Sequence, residues 1–296
     1  MSQKLGTTAV LRGRDKFTVI AMSAIPLVLV GLLVWIPALI TVLLSFTSWD
    51  GVGSFTDARF NGIQNYTDMM TIYPAFWPAL WHNLLWLAGL FLVFTPIGMA
   101  LAVLLDKELK ATRFYQTSLY LPVVLSAALI GFIWQLMYSR DQGFINAVLG
   151  TQIDWYGDPS VNLYAAMIAN GWRHVGYVML LYLAGLKGVD GSIREAAALD
   201  GAGEVRTFFQ VIFPALRPMN MLLLVITFIE GLRAFDIVWI INKGRNGLEM
   251  ISTLVTQNVA GEASRIGFGS ALATVMLLIS SVFIVFQLRL MLKGED

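Results

Sequence analysis

Glu230, Arg233 and Asp236 lie three residues apart within the apolar stretch FIEGLRAFDIVW. A charge held in hydrocarbon is costly, so an ionisable residue inside a membrane-length apolar run is a functional candidate by default. On a helix this spacing keeps neighbours on one face, drifting slowly round it. Glu230 and Arg233 could form an internal pair that lowers the cost of burial. Facing a water-filled cavity, the same groups could hydrogen-bond the hydroxyls of a polar solute, with Phe235 or Trp239 stacking on a ring. The competing role is structural: an ion pair joining two helices, or side chains snorkelling to the outer surface. A second set occurs in MIANGWRHVGYVM, where Asn170, Arg173 and Tyr177 share one helical face. Arg173 requires that face to meet protein or a cavity. His174 points elsewhere and is assigned a structural role.

Several chemistries are excluded. The chain has no cysteine, so it has no disulfide, thiolate metal site or cysteine nucleophile. Its two histidines, His82 and His174, are too few for a His-based metal cluster without carboxylate help. No G-x-x-x-x-G-K-[ST] loop occurs, and no Gly-Lys dipeptide at all, so the chain carries no P-loop for nucleotide. No metal-ligand spacing and no Ser/His/Asp constellation stands out, which makes a membrane enzyme the weakest class. The net charge of +1 gives no reason to expect a nucleic-acid partner.

The elements that must position these residues are membrane spans. Of 296 residues, 57% are hydrophobic and 13% charged, where a soluble domain carries about 25% charged. Apolar runs of about 20 residues predict an all-α, polytopic helical bundle of six spans: 19–46, 83–105, 117–138, 163–186, 219–241 and 269–292. The first run is too long for a signal-peptide core and lacks a cleavage site. Residues 1–18 are then a tail, 19–292 one membrane domain, and 293–296 a short C-terminus. Lys and Arg number thirteen in the two termini and the second and fourth loops, against five in the other loops. The positive-inside rule therefore puts both termini in the cytoplasm of a cell-membrane protein. The outer loops are rich in aromatics, and Trp49, Trp77, Trp81, Trp155 and Tyr156 are expected at the lipid interface.

The loop over 187–218 is the one long amphipathic segment. Ser192 and Glu195 form a capping-box pattern before REAAAL, a strong helix former. Gly201 and Gly203 stop or bend that helix. EVRTFFQVIF resumes, with Val205, Phe208, Phe209 and Ile212 at i, i+3, i+4 and i+7. A helix–turn–helix on the cytoplasmic face follows. Its apolar stripe packs under the bundle, and its first helix turns small Ala side chains outward. Such a helix either docks in a partner's groove or rests on lipid.

The pattern Glu195-Ala196-Ala197, three residues, Gly201, nine residues, then Val211-Ile212-Phe213-Pro214 resembles the E-A-A…G…I-x-L-P motif of permease subunits of binding-protein-dependent ABC importers. Val replaces Ile and Phe replaces Leu. RFYQTSLYLPVVLSAALIGFIWQLMYSRDQGFIN, LRAFDIVWII and GFGSALATVMLLI are similar to the carbohydrate branch of that family, the maltose and glycerol-3-phosphate type. The likeness runs from about residue 80 to the end. It implies that the loop between spans four and five is a coupling helix inserting into a cleft on an ATP-binding subunit. Glu195, Ala196, Ala197, Leu199, Asp200 and Gly201 would be its docking residues. It implies two separate ATP-binding subunits that hold ATP and Mg, a second homologous permease, an extracellular solute-binding protein and a carbohydrate substrate, with lipid around them and no cofactor in this chain. It also implies alternating access and substrate contacts in this part of span five. The run NKGRNGLEM departs from the family's usual Thr-Gly-Gly-Gly-Pro type. Gly244 and Gly247 are expected to keep it flexible. Lys243 and Arg245 there could meet an acidic binding protein or an anionic substrate, or be plain solvated charges. The rival readings are an ABC permease for a peptide, amino acid, ion or sugar phosphate, and a stand-alone channel or secondary transporter, which would need the inverted repeats that this chain lacks.

Overall fold

The structure is a computed structural model that describes residues 13–292, apart from 55, 57, 108, 109, 262 and 263. The expected tail residues 1–12 and the C-terminus 293–296 lie outside the described residues. Helices follow one another along the chain, and the described residues contain no strand beyond an isolated bridge between Thr47 and Phe60. The first run forms α1 (Gly13–Val30) and α2 (Ile36–Leu44), joined through a π-helical turn at Gly31–Trp35. α3 (Gln64–Thr71) is a short connecting helix. α4 (Phe76–Gly89) and α5 (Thr95–Asp106) continue through a second π-helical turn at Leu90–Phe94. α6 (Thr112–Val124), α7 (Ala127–Met137) and the short α8 (Phe144–Leu149) precede α9 (Asn162–Lys187), about 39 Å long at the usual helical rise.

Among the described residues, three helical stretches are long and apolar enough to cross a membrane, Thr18–Leu44, Phe76–Asp106 and Ile266–Leu290, or four if a bent pair is one span. That pair is α6 and α7, bent by 103° where a single third span is expected. Leu125 and Ser126 are extended there, and Ser126 caps α7 by accepting from the Leu129 amide at 3.2 Å. A serine at this position starts a new helix rather than continuing the old one.

The expected fifth span is also broken. α10 (Gly191–Leu199), α11 (Glu204–Thr207) and α12 (Phe213–Ala215) build the loop, and α13 (Arg217–Leu232) then ends at Arg233. The chain re-enters helix as α14 (Asp236–Asn242), followed by α15 (Ile251–Val259) and α16 (Ile266–Leu292). α9 sits at the centre. Its N-terminal half joins Trp86, Leu90, Ile130, Ile237 and Val238 in one buried cluster. Its C-terminal half joins Ala102, Leu105, Ile212 and Leu223 in another. Phe228 of α13 stacks on Phe283 of α16, with ring centroids 3.5 Å apart.

Candidate functional site

The break in the fifth helical run creates the candidate site. Breaking a helix frees carbonyls that apolar surroundings cannot satisfy. Asn83 of α4, itself buried, answers them by donating towards the Gly231 and Leu232 carbonyls at 3.4 and 3.3 Å. Its side-chain oxygen accepts from the Ile251 amide at 2.9 Å, so it also fixes the start of α15. Ser252 donates to the Ala234 carbonyl at 2.6 Å. Asp236 lies in the first turn of α14, where a carboxylate is favoured by the helix dipole.

A cavity of about 140 Å³ opens at this break. Asn170 and Arg173 line it from α9, with Glu230, Arg233, Phe235 and Asp236 from the broken helix. Six of the side chains expected to act on a solute therefore converge. Trp239 does not line it; it stacks on Phe235, centroids 5.2 Å apart and planes at 21°. Tyr177 lies about one turn further along α9 and is outside the lining.

Two expectations about charge pairing are corrected. Glu230 does not pair with Arg233. The helix ends between them, and Glu230 turns to α9, with Oε1 3.7 Å from Arg173 Nη2 and Oε2 3.4 Å from His174 Nδ1. His174 is not remote from the charged set. It is 2% exposed, and its Nε2 is 3.1 Å from Thr95 Oγ1 on α5. In the neutral tautomer that suits an ionised Glu230, Nδ1–H donates to the carboxylate and Nε2 accepts from the Thr95 hydroxyl. His174, Thr95, Asn83 and Ser252 were not among the expected site residues. The signal that could have found them is polarity inside an apolar run, since a buried polar side chain needs a partner.

The loop between α9 and α13 is the second candidate element. The expected capping box does not form. Asp190 is the N-cap instead, accepting from the Ser192 amide at 2.9 Å, so α10 starts earlier than expected. Hydrogen bonds from Ser192 hold the Asp190 carboxyl below the ordinary carboxylate range. The C-terminal end is a Schellman motif: Ala202 N–H donates to Ala197 O and Gly201 N–H to Ala198 O, both at 3.0 Å, with Gly201 at φ +73°. Glu195, Ala196, Leu199 and Asp200 are exposed, Leu199 by 89%. Ala197 is buried against the body, so it supports the helix rather than facing outward. The expected stripe is split by a π-helical turn at Phe208–Ile212. A five-residue turn rotates the register, so Ile212 is buried while Val205 and Phe209 are exposed.

The loop after α14 is pinned rather than flexible. Asn242 donates to the Arg245 carbonyl at 2.6 Å, Gln257 to the Lys243 carbonyl at 2.8 Å and Asn162 to the Asn246 carbonyl at 2.7 Å. Lys243 and Arg245 themselves are exposed.

The description "Binding-protein-dependent transport system inner membrane component" matches this chain over residues 11–293. The chain belongs to that family. It is 30% identical over 263 residues to the xylose/arabinose import permease XacH of Haloferax volcanii, covering 86% of this chain and 82% of the relative. Its fold matches a bacterial ABC transporter for import of the acidic polysaccharide alginate, with TM-score 0.80, 17% identity and coverage of 94% of this chain and 96% of the other. It also matches that alginate transporter in complex with an alginate pentasaccharide-bound periplasmic protein, with TM-score 0.78, 17% identity and coverage of 95% and 96%. This chain is thus a membrane-embedded permease component of an ABC importer, and ATP hydrolysis belongs to a separate subunit.

Proposed function

We propose that this permease forms half of the pathway for a carbohydrate delivered by an extracellular binding protein. The observation that carries the reading is the convergence of Asn170, Arg173, Glu230, Arg233 and Asp236 on one cavity beside Phe235. Donors and acceptors of both signs next to an aromatic face suit a ring bearing many hydroxyls. A cavity of about 140 Å³ is small for a sugar and suits completion by a second homologous permease. Six membrane crossings serve this arrangement, with α6–α7 and α13–α14 as interrupted ones and both termini in the cytoplasm. Broken spans are where substrate sites of transporters are built, because unwound backbone there faces a cavity.

Two ATP-binding subunits drive the cycle, one of them gripping α10 through Glu195, Ala196, Leu199, Asp200 and the turn at Gly201. The bundle alternates between inward- and outward-facing states as those subunits close. The test is co-purification of the tagged chain from native membranes, with partners identified by mass spectrometry. Recovery of an ATP-binding subunit and a second permease with the wild type, and loss of the ATP-binding subunit from folded Gly201→Pro, is expected. A wild-type chain that emerges without any ATP-binding subunit sinks the docking role of the loop.

A further inference from the structure

The cavity and the docking loop lie towards opposite ends of α9. From Arg173 to Leu186 is about 20 Å along the helix. Arg194 of α10 bridges the inner end. Its Nη1 donates to Asp106 Oδ2 at 2.7 Å, and its Nη2 donates to the Leu186 carbonyl at 3.2 Å. Asp106 is the last residue of α5, with its side chain only 11% exposed, and Leu186 is the penultimate residue of α9. One guanidinium therefore holds the C-terminal ends of two helices, where a cation is also favoured by the free carbonyls.

Those two helices pack as one unit. A Cβ at Gly98 of α5 would lie 2.8 Å from both the Val175 carbonyl and the Val178 side chain of α9, so the pair packs with no slack. Ala102 and Leu105 of α5 share a buried cluster with Val178, Met179, Tyr182, Leu183 and Leu186 of α9. Further along, α5 carries Thr95 and α9 carries Arg173 and His174, the groups that set Glu230. The neighbouring pair, Lys107 with Glu204, is a weaker link: the distance is 2.6 Å, but Glu204 is 82% exposed, and such surface pairs contribute little.

We propose that Arg194 is the positioning residue that transmits movement of the docking helix to the cavity, by clamping α10 to the joined ends of α5 and α9. This rests on the reading that α10 is gripped by an ATP-binding subunit. The test uses the complete complex with its partner subunits and binding protein, reconstituted in proteoliposomes. Uptake per ATP hydrolysed is measured on material that elutes as whole complex. Arg194→Ala and Asp106→Ala are expected to retain the ATP-binding subunits and hydrolyse ATP, while uptake per ATP falls about tenfold, within the usual range of coupling between sites. Arg194→Lys keeps the charge but reaches one oxygen at a time, and a drop of about threefold is expected. The swap Arg194→Asp with Asp106→Arg rebuilds the α10–α5 pair but not the donor to the Leu186 carbonyl, and is expected to restore part of the loss. Unchanged uptake per ATP in Arg194→Ala, or a swap that restores none of it, overturns the proposal. So does selective loss of the ATP-binding subunits from Arg194→Ala, because Arg194 would then be a docking residue. Failure of those subunits to assemble with the wild-type chain would instead remove the docking reading itself.

Discussion

Replacing Gly201 by Ala isolates the role of the turn that ends α10. Gly201 has φ +73°, and a Cβ built there meets nothing within 4 Å. Sterics with the surroundings are therefore absent, and the cost is that of the left-handed backbone alone. For an L-residue with a Cβ that is about 1–2 kcal/mol. If the partner must find the Schellman turn intact, docking weakens by about 5–30-fold. Asn tolerates the left-handed region, so Gly201→Asn is expected to stay within about threefold of wild type. Gly201→Pro cannot: its φ is fixed near −65° and it lacks the N–H that donates to Ala198. The assay is titration of the purified ATP-binding subunit onto the permease pair held in nanodiscs. Ala binding as tightly as Gly, or Asn as poorly as Pro, would refute the reasoning.

Other substitutions test other contacts. Glu230→Gln removes the charge facing Arg173 and His174 and is expected to raise the half-saturating substrate concentration for uptake about tenfold, as for a lost charged hydrogen bond. Asn83→Leu leaves the buried Ile251 amide without its acceptor and should destabilise the detergent-solubilised protein by about 1–3 kcal/mol, read as earlier thermal unfolding. His174→Leu removes the partner of both Thr95 and Glu230; a shift in substrate half-saturation with unchanged complex yield is expected. Asp190 has a depressed carboxyl pKa, so its capping is fully present above the ordinary carboxylate range and is lost only as pH falls through the lowered value. Docking should thus show no loss between about pH 6 and 8 from this group, whereas Asp190→Ala weakens it throughout that window.

The positions of most helices were legible because hydrophobic runs of membrane length are long and strongly marked. What the runs concealed is where they break. An apolar run reads as one span whether the backbone continues or kinks: LPVVLSAAL is as oily after its break as before it, and the charges of EGLRAFDIV read as site residues rather than as the end of a helix. The breaks rest on Ser126, Asn83 and Ser252, two of which act from other helices. The charged residues were legible as a set, since each is costly in lipid. Their pairing was not: i, i+3 spacing suggested Glu230 with Arg233, and the end of α13 at Arg233 separated them. Asp190 displaced the expected Ser192 and Glu195 box because its side chain reaches the Ser192 amide first.

ATP-driven uptake by the reconstituted importer tests the central claim most directly. Proteoliposomes containing this chain, its partner permease, the ATP-binding subunits and the binding protein would be supplied with labelled mono- and oligosaccharides. Because the chain has no cysteine, a single Cys at Phe235 can report on the cavity in the same vesicles. Sugar uptake that requires ATP and the binding protein, together with protection of that cysteine from a thiol reagent by the transported sugar, is the predicted result. Uptake that proceeds without ATP, or a cysteine whose labelling ignores a sugar that is being transported, would contradict it.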